Sequence, residues 1–395
     1  MKITKSKKIS SFLMKGSGDS PASIPGWRLK DAPENAELYP EDKSVEVLET
    51  SNGLRFVRTP DSRFENLPNF PYEPHYTLVD GLRIHFVDEG PQEGKVVLML
   101  HGQPTWSYLY RKMIPIISKA GFRAIAMDHV GMGRSDKPIN IGIHTFEQQV
   151  QWQKQFIESL ELKNITLFCQ DWGSLIGLRV AGDLPDLFAR LVVANGTLPV
   201  FEKGSNPFKV SNPVVIDPSL GNFSDILPKK GGKLATKIKQ KMARLVWARF
   251  FQKWINYALT APNFTPSQVV EHASNIKLLH AELAAYDAPF PSFIYKAAVR
   301  AFPSMVAAIE ENNKQAWENL GNFTRPFLFL GGELDHNMGR IENQRLLTNH
   351  IPGAKGQEHE RYPNAAHFIQ EDEGEALGNK VVAFMKKNPA HAHKL

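Results

Sequence analysis

The sequence predicts an α/β protein, a mostly parallel sheet with helices on both faces and an inserted helical segment. Short apolar runs over 96–100, 123–127, 165–168, 191–194 and 326–330 suit strands covered on both faces. Helical stretches over 145–160 and 174–183 alternate with them, as a parallel sheet requires. That alternation stops after about Gly196 and resumes only after Asn312, so roughly 115 residues interrupt the core.

Taken in order, residues 1–48 are polar and punctuated by Gly16, Gly18, Pro21, Pro25, Pro33 and Pro40, and read as an extension without a core. The stretch 81–88 alternates like a half-buried strand, and 96–100 follows as a continuous apolar run ending at His101-Gly102. Residues 108–120 read as a helix despite Pro115, 123–127 as a strand, and 145–160 as a helix capped by Thr145. Strand 165–168, helix 174–183 and strand 191–194 complete a first core part over 49–196. Pro-rich turns and helical stretches fill 197–312, the expected cap. A second core part, 313–395, holds strand 326–330, a last strand near 358–362 and a helix over about 374–387. No internal repeat is visible.

Composition narrows the class. With 42% hydrophobic and 22% charged residues, the chain can bury a large core and is neither collagen-like nor wholly disordered. The lone Cys169 excludes an internal disulfide and a Cys-rich zinc site. The net charge is +6, and residues 1–30 carry that whole excess, seven Lys/Arg against Asp19 alone. A basic tail on a neutral body argues against nucleic acid as a partner. No stretch reaches the ~18 apolar residues of a membrane span, and 9–14 is too short and polar for a secretory core. A cytoplasmic protein is expected, with an organelle-targeting role for the acid-free residues 1–15 as the alternative.

The chemistry centres on Cys169-Gln170-Asp171-Trp172-Gly173, between a buried strand and a helix. A nucleophile flanked by small residues at a strand-to-helix turn is the pattern of a nucleophile elbow, here with Asp at its centre. An Asp capping the helix is the plainer reading. The sequence His101-Gly102-Gln103-Pro104 after the strand 96–100 can offer backbone N–H groups to an anion. Triads on such folds run nucleophile, acid, histidine, and Asp335 and His367 lie in that order after consecutive strands. Glu333 is a rival acid, and His336 and His359 are rival bases. Asn195, at the other place an acid could occupy, is no carboxylate. Gly131-Met-Gly133 lacks the third glycine of a dinucleotide fingerprint, and His391 and His393 have no companion ligands at metal-binding spacing.

Five stretches carry a resemblance: HGQPTWSYLYRKMIP (101–115), GMGRSDKP (131–138), NITLFCQDWGS (164–174), YDAPFPSFIYKAAVRAFPSMV (286–306) and AAHFIQE (365–371). They closely resemble the haloalkane dehalogenases of the α/β-hydrolase fold, nearest to the subfamily that degrades 1,2-dichloroethane. The resemblance covers about Gly53 to Phe384. It implies Asp171 as nucleophile, His367 as base and Asp335 as its partner. It further implies a halide held between two indole N–H groups, Trp172 and a cap tryptophan matched by Trp254, with Trp247 as rival, and an oxyanion on the N–H groups of Gln103 and Trp172. The implied substrates are a halogenated alkane and water, with no metal or organic cofactor.

This chain departs from the family at three places. Gln103 stands where Asn or Glu is usual, and Ala366 replaces the usual Gly before the histidine. The region 202–241 is longer and holds Lys229, Lys230, Lys233, Lys237, Lys239 and Lys241. An epoxide hydrolase or a β-lactone-processing enzyme with the same triad remains the alternative, with Tyr257, Tyr286 and Tyr295 available to an epoxide. A non-catalytic receptor on this fold is the reading from another class.

Overall fold

The computed structural model describes residues 44–208, 223, 226, 250–261, 263–309 and 311–389, with two-residue strands at Ser23–Ile24 and Trp27–Arg28. Most of the 1–48 extension, the lysine run 229–241, Trp247, His391 and His393 lie outside the described residues.

The central sheet has eight strands: β1 (His75–Val79), β2 (Leu82–Glu89), β3 (Val96–Leu100), β4 (Arg123–Met127), β5 (Ile165–Gln170), β6 (Phe188–Ala194), β7 (Phe327–Gly332) and β8 (Glu360–Tyr362). Their order across the sheet is β8-β7-β6-β5-β3-β4-β2-β1, with β2 running opposite to the other seven. Strands β3, β5 and β7 are buried at every residue, as their largely apolar text predicts. Helices cover both faces: α1 (Ile114–Lys119) packs on α10 (Ile369–Lys387), while α2 (Phe146–Ser159) and α8 (Lys314–Leu320) flank α3 (Trp172–Asp183). Thr145 caps α2 as expected, its side chain accepting the Gln148 N–H.

Three elements differ from expectation. The helix over 108–120 is instead a short 3₁₀ turn, Ser107–Tyr110, followed by α1, because Pro115 has no N–H to give and fits only a first helical turn. The C-terminal helix begins at Ile369, with a non-helical Glu373 (φ −134°) separating its first turn from the predicted 374–387. Strand β1 has no counterpart in the sequence pattern; its polar His75 and Thr77 break the apolar run, although Asp80-Gly81, both at positive φ, close the β1–β2 hairpin.

Between β6 and β7 the described residues form helices and turns and no strand: a helical run over 250–260 (α4), α5 (Pro266–Ala273), α6 (His280–Asp287) and α7 (Ala297–Met305). Charge and hydrogen bonds tie them to the core. Arg111, before α1, bonds Glu371 of α10 and Glu282 of α6, and Tyr286 of α6 donates to Glu371. Trp106 Nε1 donates to the Ala285 carbonyl at 3.0 Å. Removing one partner from such a buried charge cluster costs about 3–5 kcal/mol, so the cluster fixes where α6 sits. No described helix is long and apolar enough to cross a membrane.

Candidate active site

Strand β5 ends at Gln170 and α3 begins at Trp172, so Asp171 alone makes the turn, with φ 50° and ψ −128°. A non-glycine residue held there costs about 1–3 kcal/mol, and the surroundings must enforce it. They do so by bonds on both sides: Asp171 N–H donates to the Asn195 carbonyl at 3.1 Å, and the Asp171 carbonyl accepts Ser174 N–H at 2.8 Å and Ser174 Oγ at 2.6 Å. The crowding explains the small flanking residues. A Cβ on Gly102 would stand 2.3 Å from Asp171 Oδ1, and one on Gly173 would stand 2.1 Å from the Leu100 carbonyl. The Asp171 side chain makes no capping bond to α3; Oδ1 instead accepts the backbone N–H of Gln103 at 2.9 Å. The plainer reading of Asp171 as a helix cap therefore does not hold.

One backbone amide reaches this carboxylate and a second lies next to it in the chain. The Gln103 N–H already reaches it, and the Trp172 N–H opens α3, where the first amides have no intrahelical acceptor. The loop carrying Gln103 is braced by neutral histidines. His101 Nδ1 donates to the Gly102 carbonyl, and its Nε2 accepts the His129 N–H. Burial pushes both imidazoles below their ordinary pKa, His129 to about 3. The Gln103 side chain turns away from Asp171, and its Nε2 donates to the Val299 carbonyl of α7 at 2.8 Å.

His367 stands over Asp171, with Nε2 3.5 Å from Asp171 Oδ2 and Nδ1 3.0 Å from Asp335 Oδ2. Burial would lower the imidazole pKa, but the carboxylates of Asp335 and Asp171 outweigh it and push it up to about 10. Asp335 is itself buried, which would raise its pKa. The His367 imidazole and the N–H groups of Asn337 and Gly339 overcome that and hold it below the usual carboxylate range. The rivals lie elsewhere. Glu333 is half exposed and pairs with Arg361, His336 is exposed, and His359 bonds Phe329 N–H and the Ala354 carbonyl.

The loop bearing His367 is held by residues that sequence reasoning passed over. Asn195 Nδ2 donates to the carbonyls of Ala366 and His367, while its Oδ1 accepts Gly332 N–H. Gln170 Nε2 donates to the His367 carbonyl at 3.1 Å. Asp372 accepts the N–H groups of Ala366, Asn275 and Ile276, tying the loop to the segment after α5. Asn195 and Gln170 sit at strand ends beside Asp171, the one signal that could have marked them. Ala366 has no positive φ, so its methyl is accommodated without backbone strain.

Trp172 is buried, with its ring 5.7 Å from Phe302 of α7, and its indole N–H has no hydrogen-bond partner among the described residues. Trp254 lies in α4, nearly buried, stacked on Tyr257 at 6.0 Å and packed against Phe223 and Phe264. The two tryptophan rings make no contact with each other among the described residues. The same residues contain no group of three His, Cys, Asp or Glu side chains able to hold a metal ion.

Asp171, His367 and Asp335 thus form a contiguous carboxylate–imidazole–carboxylate chain, with the Gln103 N–H on the Asp171 carboxylate. That arrangement can attack an electrophilic carbon and then activate water against the resulting ester. A family model described as the alpha/beta hydrolase fold matches residues 95–374. The chain is 38% identical to a haloalkane dehalogenase of Psychrobacter cryohalolentis over 346 residues, 85% of this chain and all of that protein. It is 40% identical to one of Mycobacterium marinum over 338 residues, 83% of this chain and 99% of that protein. Among solved structures, the tetrameric haloalkane dehalogenase DpaA of Paraglaciecola agarilytica superposes with a TM-score of 0.63 at 30% identity, covering 86% of this chain and 99% of that one.

Proposed function

Because the chain belongs to the haloalkane dehalogenase family of the α/β-hydrolase fold, hydrolases acting on carbon–halide bonds, we propose that Asp171 is its nucleophile and that the reaction passes through an aspartyl alkyl ester. The observation that carries this reading is the carboxylate of Asp171, uncapped and aimed at His367 while Oδ1 rests on the Gln103 N–H.

A carboxylate needs no base before attacking an sp³ carbon. Oδ2 forms the new C–O bond as the carbon–halogen bond breaks, and the halide leaves with the bonding pair. Indole N–H groups of Trp172 and Trp254 stabilise the charge growing on the halide inside the cap, residues 197–312. The unspent donor of Trp172 supports its share. Esterification removes the charge of Asp171, one of the two carboxylates holding His367 protonated, so the imidazole pKa falls when a base is needed. The freed imidazole keeps Nδ1–H toward Asp335 and takes a proton from water, which attacks the ester carbonyl. The oxyanion rests on the N–H groups of Gln103 and Trp172. Collapse regenerates the carboxylate and releases alcohol, with a proton for each halide. The tryptophan at position 254 and the likeness of 286–306 support placement with the 1,2-dichloroethane-degrading subfamily.

Halide release from 1,2-dibromoethane and 1-bromobutane, with styrene oxide hydrolysis in parallel, tests the reading. Bromide release with little epoxide opening is expected. Epoxide opening without bromide would move the chain to the epoxide chemistry of the same triad.

A further inference from the structure

Helix α7 touches Gln103 and Trp172 directly and, through Arg300, the C-terminal end of the helix that carries Trp254. The Val299 carbonyl accepts Gln103 Nε2, and Phe302 packs edge-on against Trp172 at 5.7 Å. Between them Arg300 is fully buried and turned toward α4. Its Nη1 donates to the carbonyls of Ala258 and Leu259 at 3.1 and 3.4 Å, and its Nη2 to that of Ala261 at 2.7 Å. These carbonyls lie in the last turn of the helix that carries Trp254, one turn back from Ala258, and at the residue just after it. The guanidinium also lies 4.0 Å from the centre of the Phe293 ring and 5.5 Å from that of Phe264, which packs on Trp254.

A helix ends in carbonyls without intrahelical donors and in a partial negative charge. One planar fork gathering three of them fixes the helix in both rotation and height, which an ammonium, a single point of charge, does less well. We infer that Arg300 is a positioning residue for halide recognition, setting α4 so that the Trp254 indole meets the Asp171–Trp172 floor. The inference rests on the reading of Trp254 as a halide donor. Through Arg300, α7 locks the oxyanion loop, the floor tryptophan and the cap tryptophan into a common register.

A double-mutant cycle on the full chain tests it, reading bromide affinity by quenching of tryptophan fluorescence. Arg300→Lys should weaken bromide binding about tenfold, the effect of a lost bond to a charged group. In a Trp254→Phe background the same substitution should add nothing, because its effect passes through the indole. If Trp254→Phe weakens bromide while Arg300→Lys does not, the inference falls and the halide reading stands. An equal loss in both backgrounds also overturns it, since Arg300 would then act on packing in general. If Trp254→Phe leaves bromide affinity unchanged, the reading of Trp254 falls and takes the inference with it. Should circular dichroism show Arg300→Lys unfolded, Arg300→Gln, which keeps an amide donor of similar reach, is read in the same cycle.

Discussion

Asp171→Asn is expected to abolish bromide release, lowering turnover by about 10⁴-fold or more, the scale on which removal of a nucleophile is felt. The amide is nearly isosteric, so the elbow's φ of 50° and its bonds to Asn195 and Ser174 persist. What disappears is the negative oxygen able to displace halide. Comparing bromide release and circular dichroism of the two proteins separates chemistry from folding. Full activity in a cleanly folded Asn variant would remove Asp171 from the reaction.

His367→Gln should separate the two halves of the reaction. Alkylation needs only the ionised Asp171, so halide should appear in a burst of one equivalent per enzyme. Hydrolysis of the ester needs a base and should slow by about 10²–10⁴-fold. Glutamine can still donate toward Asp335, whose carboxylate also accepts the N–H groups of Asn337, Met338 and Gly339 and so keeps its partners. Mass spectrometry of the stalled protein should find one alkyl group on the peptide containing Asp171. A slow, burst-free variant with no adduct would mean that His367 acts before or during attack.

Much of this was legible in the residues. Buried strands such as β3, β5 and β7 announce themselves because both faces are covered and most of their side chains are apolar. Strand β1 did not, since the polar His75 and Thr77 keep it from forming a continuous apolar run and Leu78 is exposed. The grouping of Asp171, His367 and Asp335 was legible through chain order and the cramped Asp171 turn. The clamps were not: Asn195 reaches Ala366 and His367 across more than 170 positions, and Arg300 reaches back about 40 to α4. Such bonds depend on packing between elements, which local pattern does not encode. The helical insertion hid most, because its contacts with the core, through Glu282, Tyr286 and Val299, are single side-chain or carbonyl bonds with no periodic signature.

The most direct test of the covalent route is a single turnover of the unaltered enzyme, in molar excess over 1-bromobutane, in water enriched in heavy oxygen. With an aspartyl ester, the alcohol takes its oxygen from the Asp171 carboxylate, so the first butanol is unlabelled and the label enters Asp171. Labelled butanol from that first turnover, with Asp171 left unlabelled, would mean that water displaces the halide directly and that Asp171 is no nucleophile.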